Sequence, residues 1–212
     1  MAVQQDKHLP LGNGNMDSST GGFLTPQSSS ELLFGEKLNQ IIHDWIMGLT
    51  GLNGKVIMPR WQIVPPNLPN SFTTDWMTFG VTRKIRDGYS YISHQVDSST
   101  GLIVESDQST RWQSIFVLCS IYGPNQEFTE ASISQGLYIQ QNNEYLFQYY
   151  IRPIGTNETI IVPELIKNDW VTRWDLEIEL SMQVTFNYSV NSILSAFGTL
   201  NTDTGLIEQI TT

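Results

Sequence analysis

Three carboxylates, Asp175, Glu177 and Glu179, stand two apart inside a stretch where apolar and polar residues alternate from 174 to 190. On a β-strand, residues two apart share a face. The three acids therefore have the spacing to hold a hard cation, or to act as an acid pair on a glycosidic bond. The same spacing is that of a solvated strand face whose charges discourage edge pairing. His8 lies in a polar start, His43 in a helical pattern and His94 in a hairpin pattern. No His-x-x-His or His-Glu-x-x-His spacing joins them, so no metal site is expected. Cys119, the single cysteine, lies in the apolar run Ile115-Phe-Val-Leu-Cys-Ser-Ile121. It has no disulfide partner, and a thiol in mid-strand is expected to be a small buried hydrophobe. The chain has no Gly-x-Ser-x-Gly, no phosphate loop ending in Lys-Ser or Lys-Thr, and no Gly-x-Gly-x-x-Gly after a strand. The expectation is of no catalysis and no cofactor.

Contact chemistry is better supplied. Arg60-Trp61, Trp76, Trp170 and Trp174 are of the residue types that dominate interface hot spots, although the same residues serve as ordinary core and loop anchors. Charged residues make up only 15% of the chain, against roughly 25% in an average soluble domain. Asn, Gln, Ser and Thr fill the deficit, and desolvating amides and hydroxyls costs less than desolvating ions, which suits permanent contacts. Net charge is −10, and the 11 basic residues are read as forming no run, which argues against specific binding of DNA or RNA. The start has no basic-then-apolar signal pattern, and no apolar stretch is long enough to cross a membrane. A reducing cytoplasm, or a particle assembled there, is the expected setting.

The 212 residues suffice for one domain with a sizeable core. Residues 1–28, rich in Gly, Ser and Asn, are read as a disordered or extended N-terminal arm, and 29–212 as a single α+β domain. Ser28 and Glu31 fit a capping box, and Leu33, Phe34, Leu38, Ile41, Ile42, Trp45, Ile46 and Leu49 recur at helical spacing, predicting a helix over 31–48. The prolines at 59, 65, 66 and 69 predict an extended crossing. Strands follow over 76–85 and 114–122, with a protruding hairpin between them around residues 97–101. Pro124 opens a second helix whose stripe is Phe128, Ala131, Gln135 and Tyr138, and a short extra turn of helix fits 142–149. Residues 150–154 read as strand, 155–169 as loop, 174–190 as one long strand, and 206–210 as a last strand. The architecture expected is an antiparallel or mixed β-sheet packed against two helices.

Several of these pieces together resemble one family. They are Ile57-Met-Pro59-Arg60-Trp61-Gln62 with Pro65-Pro66, Trp76 with Phe79-Gly80-Val81, and Ser120-Ile-Tyr122-Gly123-Pro124. Gly136-Leu137, Gln141-Asn142, Glu144 and Pro163-Glu164-Leu165 continue the series, and Trp170, Arg173 and Asp175 close it. In this order, across roughly residues 31–190, they resemble the neck or tail-terminator proteins of contractile-tailed bacteriophages. The chain departs from that pattern at Gln140 and Asn143, where the family has proline and arginine.

The resemblance implies a virion protein of the tail neck, assembled in the host cytoplasm. It implies a ring, usually of six copies, that ends tube and sheath growth and docks to the head–tail connector or collar. Its partners would be copies of itself and the tail tube, sheath and connector proteins, with DNA passing through unbound and no membrane contact. Interface candidates on the matching motifs are Arg60, Trp61, Pro65, Pro66, Tyr122, Trp170 and Arg173, and Asp175, Glu177 and Glu179 are candidates to face the lumen. Competing readings are another tail-completion, connector or baseplate component, a small carbohydrate- or peptide-binding domain, and an enzyme using carboxylates.

Overall fold

A computed structural model describes residues 23–26, 28–29, 35–63, 66–97, 104–166, 168–190, 197–201 and 207–211. Among the described residues three α-helices, α1 (Gly35–Thr50), α2 (Gln126–Gly136) and α3 (Gln140–Phe147), and a 3-10 turn at Gly54–Val56 accompany ten strands. The strands are β1 (Ser28–Ser29), β2 (Ile57–Pro59), β3 (Trp76–Arg86), β4 (Tyr91–Asp97) and β5 (Val104–Tyr122), then β6 (Ile151–Thr156), β7 (Ile160–Ile166), β8 (Asp169–Ser189), β9 (Phe197–Asn201) and β10 (Ile207–Thr211). Eight form one sheet in the order β1-β8-β5-β3-β2, with β4 beside β5 and with β6 and β7 beside β8. The sheet is mixed: β2 runs parallel to β3, whereas β3–β5, β6–β8 and β7–β8 are antiparallel. The fold is thus α+β.

The chain divides into two compact units. The larger, residues 30–91 and 110–185, holds the helices and the apolar core. Along β8 the even residues Leu176, Ile178, Leu180, Met182 and Val184 are buried, while the odd ones between them stay half-buried. Leu38, Ile41, Ile42, Trp45 and Ile46 supply the buried stripe of α1. The Trp45 indole N–H donates to the Asn142 carbonyl at 3.1 Å, tying α1 to α3. Ile115 to Val117 of β5, together with Cys119 and Ile121, are also buried, so the end of β5 is covered on both faces. Trp76 stacks on Tyr122 with ring centroids 4.0 Å apart, and Met58 and Val171 complete that cluster. At the turn after β5, Gly123 has φ +124°, and a Cβ there would run into the Asp75 carboxylate and backbone. The same carboxylate accepts hydrogen bonds from the Asn125 backbone and side chain, at 2.8 and 2.9 Å, and so fixes the entry to α2.

The smaller unit takes residues 1–29, 92–109 and 186–212. Polar side chains meet across its described strands. His94 Nδ1 lies 2.9 Å from Asp107, Gln95 donates to Gln108 at 3.3 Å, and Gln108 donates to Asn187 at 3.2 Å. Ser28 and Ser29 pair with Asn187 and Phe186, and β9 pairs with β10 as a separate two-stranded sheet.

Several expectations are corrected. The short extra turn of helix expected at 142–149 is the helix α3, Gln140–Phe147, so the described residues hold three α-helices where two were expected against the sheet. Helix α1 continues through Gly48 to Thr50, where the Gly51 N–H donates to the Met47 carbonyl; residues 31–34 lie outside the described residues. Helix α2 buries Thr129, Ile133 and Gly136, leaving Phe128 and Tyr138 exposed; its described packing partner is α1, whose Leu49 lies against Gly136. The segment read as a loop at 155–169 contains β7, which tolerates Pro163 because β8 is its partner among the described residues. Residues 57–59, read as part of the crossing, form the edge strand β2. β5 is one strand from Val104 to Tyr122, not a hairpin arm followed by a separate strand. The arm proper, residues 1–22, and the turn at 98–103 lie outside the described residues.

Candidate functional site

The polar centre of the larger unit is a chain of side chains carried by β5, β7, β8 and the segment after β2. Arg173 on β8 reaches Asp175 through Nε at 3.1 Å and Nη2 at 2.9 Å, and Glu164 on β7 through Nη1 at 3.1 Å. The Tyr122 hydroxyl donates to the same Glu164 at 2.8 Å. On its other side Asp175 accepts from the Ser120 hydroxyl, and Ser120 in turn accepts from the Arg60 guanidinium. Two guanidiniums and two carboxylates are thereby linked through two hydroxyls, with no net charge. Burial alone would lower the Arg173 pKa; hydrogen bonds to Tyr122 and Asp175 outweigh it and hold the guanidinium above its usual range. Burial, and then the hydrogen bond to Glu164, push the Tyr122 phenol up to about 12. The Arg173 guanidinium thus stays charged and the Tyr122 phenol neutral near neutral pH, which suits a structural clamp better than proton transfer.

The sequence-predicted residues separate into groups. Arg60, Tyr122, Arg173 and Asp175 come together in this clamp. Trp170 stands apart, 70% exposed on β8 opposite Leu165 of β7. Pro66 is half-buried, and Pro65 lies outside the described residues. Asp175, Glu177 and Glu179 share the half-buried face of β8, as their spacing implied. They do not form an acid site: Asp175 belongs to Arg173, and Glu177 accepts from Asn157 at 2.6 Å and lies 3.7 Å from Arg83. Among the described residues no group of three or more His, Cys, Asp or Glu could hold a metal. No described helix is long and apolar enough to cross a membrane. Cys119 is fully buried, and burial pushes its thiol up to about 12.

Two features escaped the sequence reading. Ser120 and Glu164 lie inside matched motifs, but only the pairing of β5 and β7 with β8 turns them toward Asp175 and Arg173. The second is a basic cluster. Arg83, Lys84 and Arg86 fall within four positions, and Arg83 and Lys84 line an open cleft with Arg60 and Trp61. That local density within an acidic chain was the available signal.

Comparison with known proteins adds one result. The family model described as phage neck terminator protein matches residues 36–204, which contain every member of the clamp. No curated protein matches the chain.

Proposed function

Since the chain belongs to the phage neck terminator family, we propose that it closes a ring of six copies at the head-proximal end of a phage tail. Membership itself carries a structural role in the tail neck, and hence a place in the virion. On our reading the ring caps the tube and sheath, stopping their growth, and joins the tail to the head connector.

The observation that favours assembly is the outer side of β7. Its described strand partner is β8, and Ile160, Ile161 and Leu165 are 62%, 56% and 54% exposed along it. Trp170 across the β7–β8 register is 70% exposed. An apolar edge strand whose outer side has no described partner is a liability in a monomer, and ring closure removes it. DNA passing through such a ring meets subunits of net charge −10, which disfavours sticking. Placing Asp175, Glu177 and Glu179 at the lumen is part of the proposal, and a ring reconstruction with all three on the outer rim would overturn that part.

The deciding measurement is the solution mass of the purified protein, with negative-stain images of the same sample. The expected result is ring-shaped particles of six 24.0 kDa chains. The substitution Leu165→Asp should shift the mass toward the monomer. A wild-type monomer that also fails to cap purified tail tubes would refute the reading.

A further inference from the structure

We propose that the cleft beside Trp61 binds an acidic, extended peptide segment of another neck or tail protein. The cleft has a volume of about 280 Å3, and its walls include Leu38 of α1, Arg60, Trp61, and Gly80, Arg83 and Lys84 of β3. Three of its described lining residues are cationic and none of them is acidic, although Arg83 also lies 3.7 Å from Glu177 behind it, in a chain with 21 acidic and 11 basic residues. It is thus a local positive site on a negative molecule, complementary to an acidic partner.

Three further observations point to a ligand. The Arg60 Nε is buried with no hydrogen-bond partner, although the other end of its guanidinium is held by Ser120. A buried unpaired donor on a charged group is costly, and a carboxylate that drew the side chain toward the cleft would satisfy it. Trp61 has φ +58°, a left-handed backbone conformation unfavourable to a bulky side chain, yet its side chain stays 71% exposed. Its indole lies against Gly80 so closely that a Cβ there would come within 2.8 Å of the ring. Local strain is therefore spent on presenting an aromatic face beside the cations. Arg83 is also oriented in advance: its guanidinium lies 3.9 Å over the Phe116 ring. An aromatic platform beside guanidinium forks suits a carboxylate-bearing peptide, with the indole covering the peptide backbone and the forks taking its side chains. A nucleic-acid backbone fits less well, because a few cations cannot outweigh the repulsion of a subunit at net charge −10.

The proposal rests on the neck reading only for the source of the peptide; the binding itself can be tested without any ring. A fluorescein-labelled, end-capped decapeptide of alternating Asp, Glu and Gly is titrated with the full chain and read by anisotropy. Its Asn/Gln/Gly counterpart and a ten-nucleotide oligothymidylate are titrated in parallel. The acidic peptide should bind at least about tenfold more tightly than the neutral one, and raising salt should narrow the gap. The double variant Arg83→Gln/Lys84→Gln, at two exposed positions, should lose about tenfold or more in affinity for the acidic peptide. Trp61→Ala should weaken both peptides together, since it removes the platform and not the charge. Equal binding of the two peptides, an unchanged affinity in the double variant, or tighter binding of the oligonucleotide than of the acidic peptide would overturn the proposal. A protein that binds the acidic peptide but forms no ring would refute the ring reading alone.

Discussion

Replacing Asp175 by Asn keeps its shape and removes its charge, leaving Arg173 with Glu164 alone and Ser120 without its carboxylate acceptor. The Arg173 and Asp175 side chains are 25% and 14% exposed, so the pair lies between the two measured regimes. Removing one partner of a fully buried pair costs about 3–5 kcal/mol, whereas an exposed pair contributes about 0–1 kcal/mol. A loss of about 2 kcal/mol is expected for Asp175→Asn. With a urea slope of roughly 2 kcal/mol per molar, the midpoint should fall by about 1 M. The assay is a urea titration followed by far-UV circular dichroism on wild type, Asp175→Asn, Arg173→Met and the double variant. Because each single change strands a partly buried charge, the double variant should be more stable than the sum of the singles implies, by about 1 kcal/mol or more. Added salt at 0.5 M should leave most of the effect, since the pair is shielded from solvent. A midpoint for Asp175→Asn within about 0.2 M of wild type, or strictly additive losses, would refute the clamp as a stabilising unit.

Trp76→Ala should be among the most damaging single changes, at about 3–5 kcal/mol, because Trp76 is 1% exposed and stacked on Tyr122; thermal melts would show it. Alkaline pH should destabilise the fold. Tyr122 is raised from 10.0 to about 12, so the native state binds more protons than the unfolded chain between those values. Its contribution is therefore whole below pH 10.0 and is lost as pH rises through about 12, a change on the order of 2 kcal/mol visible in urea midpoints, with Tyr122→Phe flattening the profile. Gly123→Ala should destabilise by more than about 2 kcal/mol, measured in the same urea titration, because both the positive φ and the Asp75 wall exclude a Cβ. Cys119 should resist a thiol reagent in the native protein and react at once in denaturant, since it is fully buried with its thiol pushed up to about 12.

What could be read from the residues alone was whatever depends on local periodicity. Ile41, Ile42, Trp45 and Ile46 repeat at helical spacing and are the buried face of α1. The even residues of β8 face the core and the odd ones do not, because one-sided burial writes a period of two into the sequence. The burial of Cys119 followed from its apolar neighbours. Charge balance likewise needed no coordinates, and the order of the motifs was enough to identify the family.

Everything that depends on which strand lies beside which was decided by the tertiary structure. β5 is polar in its first half and buried on both faces in its second, so no single period marks it as one strand. β7 carries Pro163 and exposed apolar residues on both faces, a pattern that looks like a loop until β8 supplies the hydrogen bonds. Helix α2 has apolar residues on two sides, and only its tertiary packing, α1 included, selects Ile133 over Phe128. The clamp joins Arg60 to Ser120 and Ser120 to Asp175 across separations of 60 and 55 residues. No local rule spans such distances, because these contacts exist only once non-local strand pairing has brought the two backbones together.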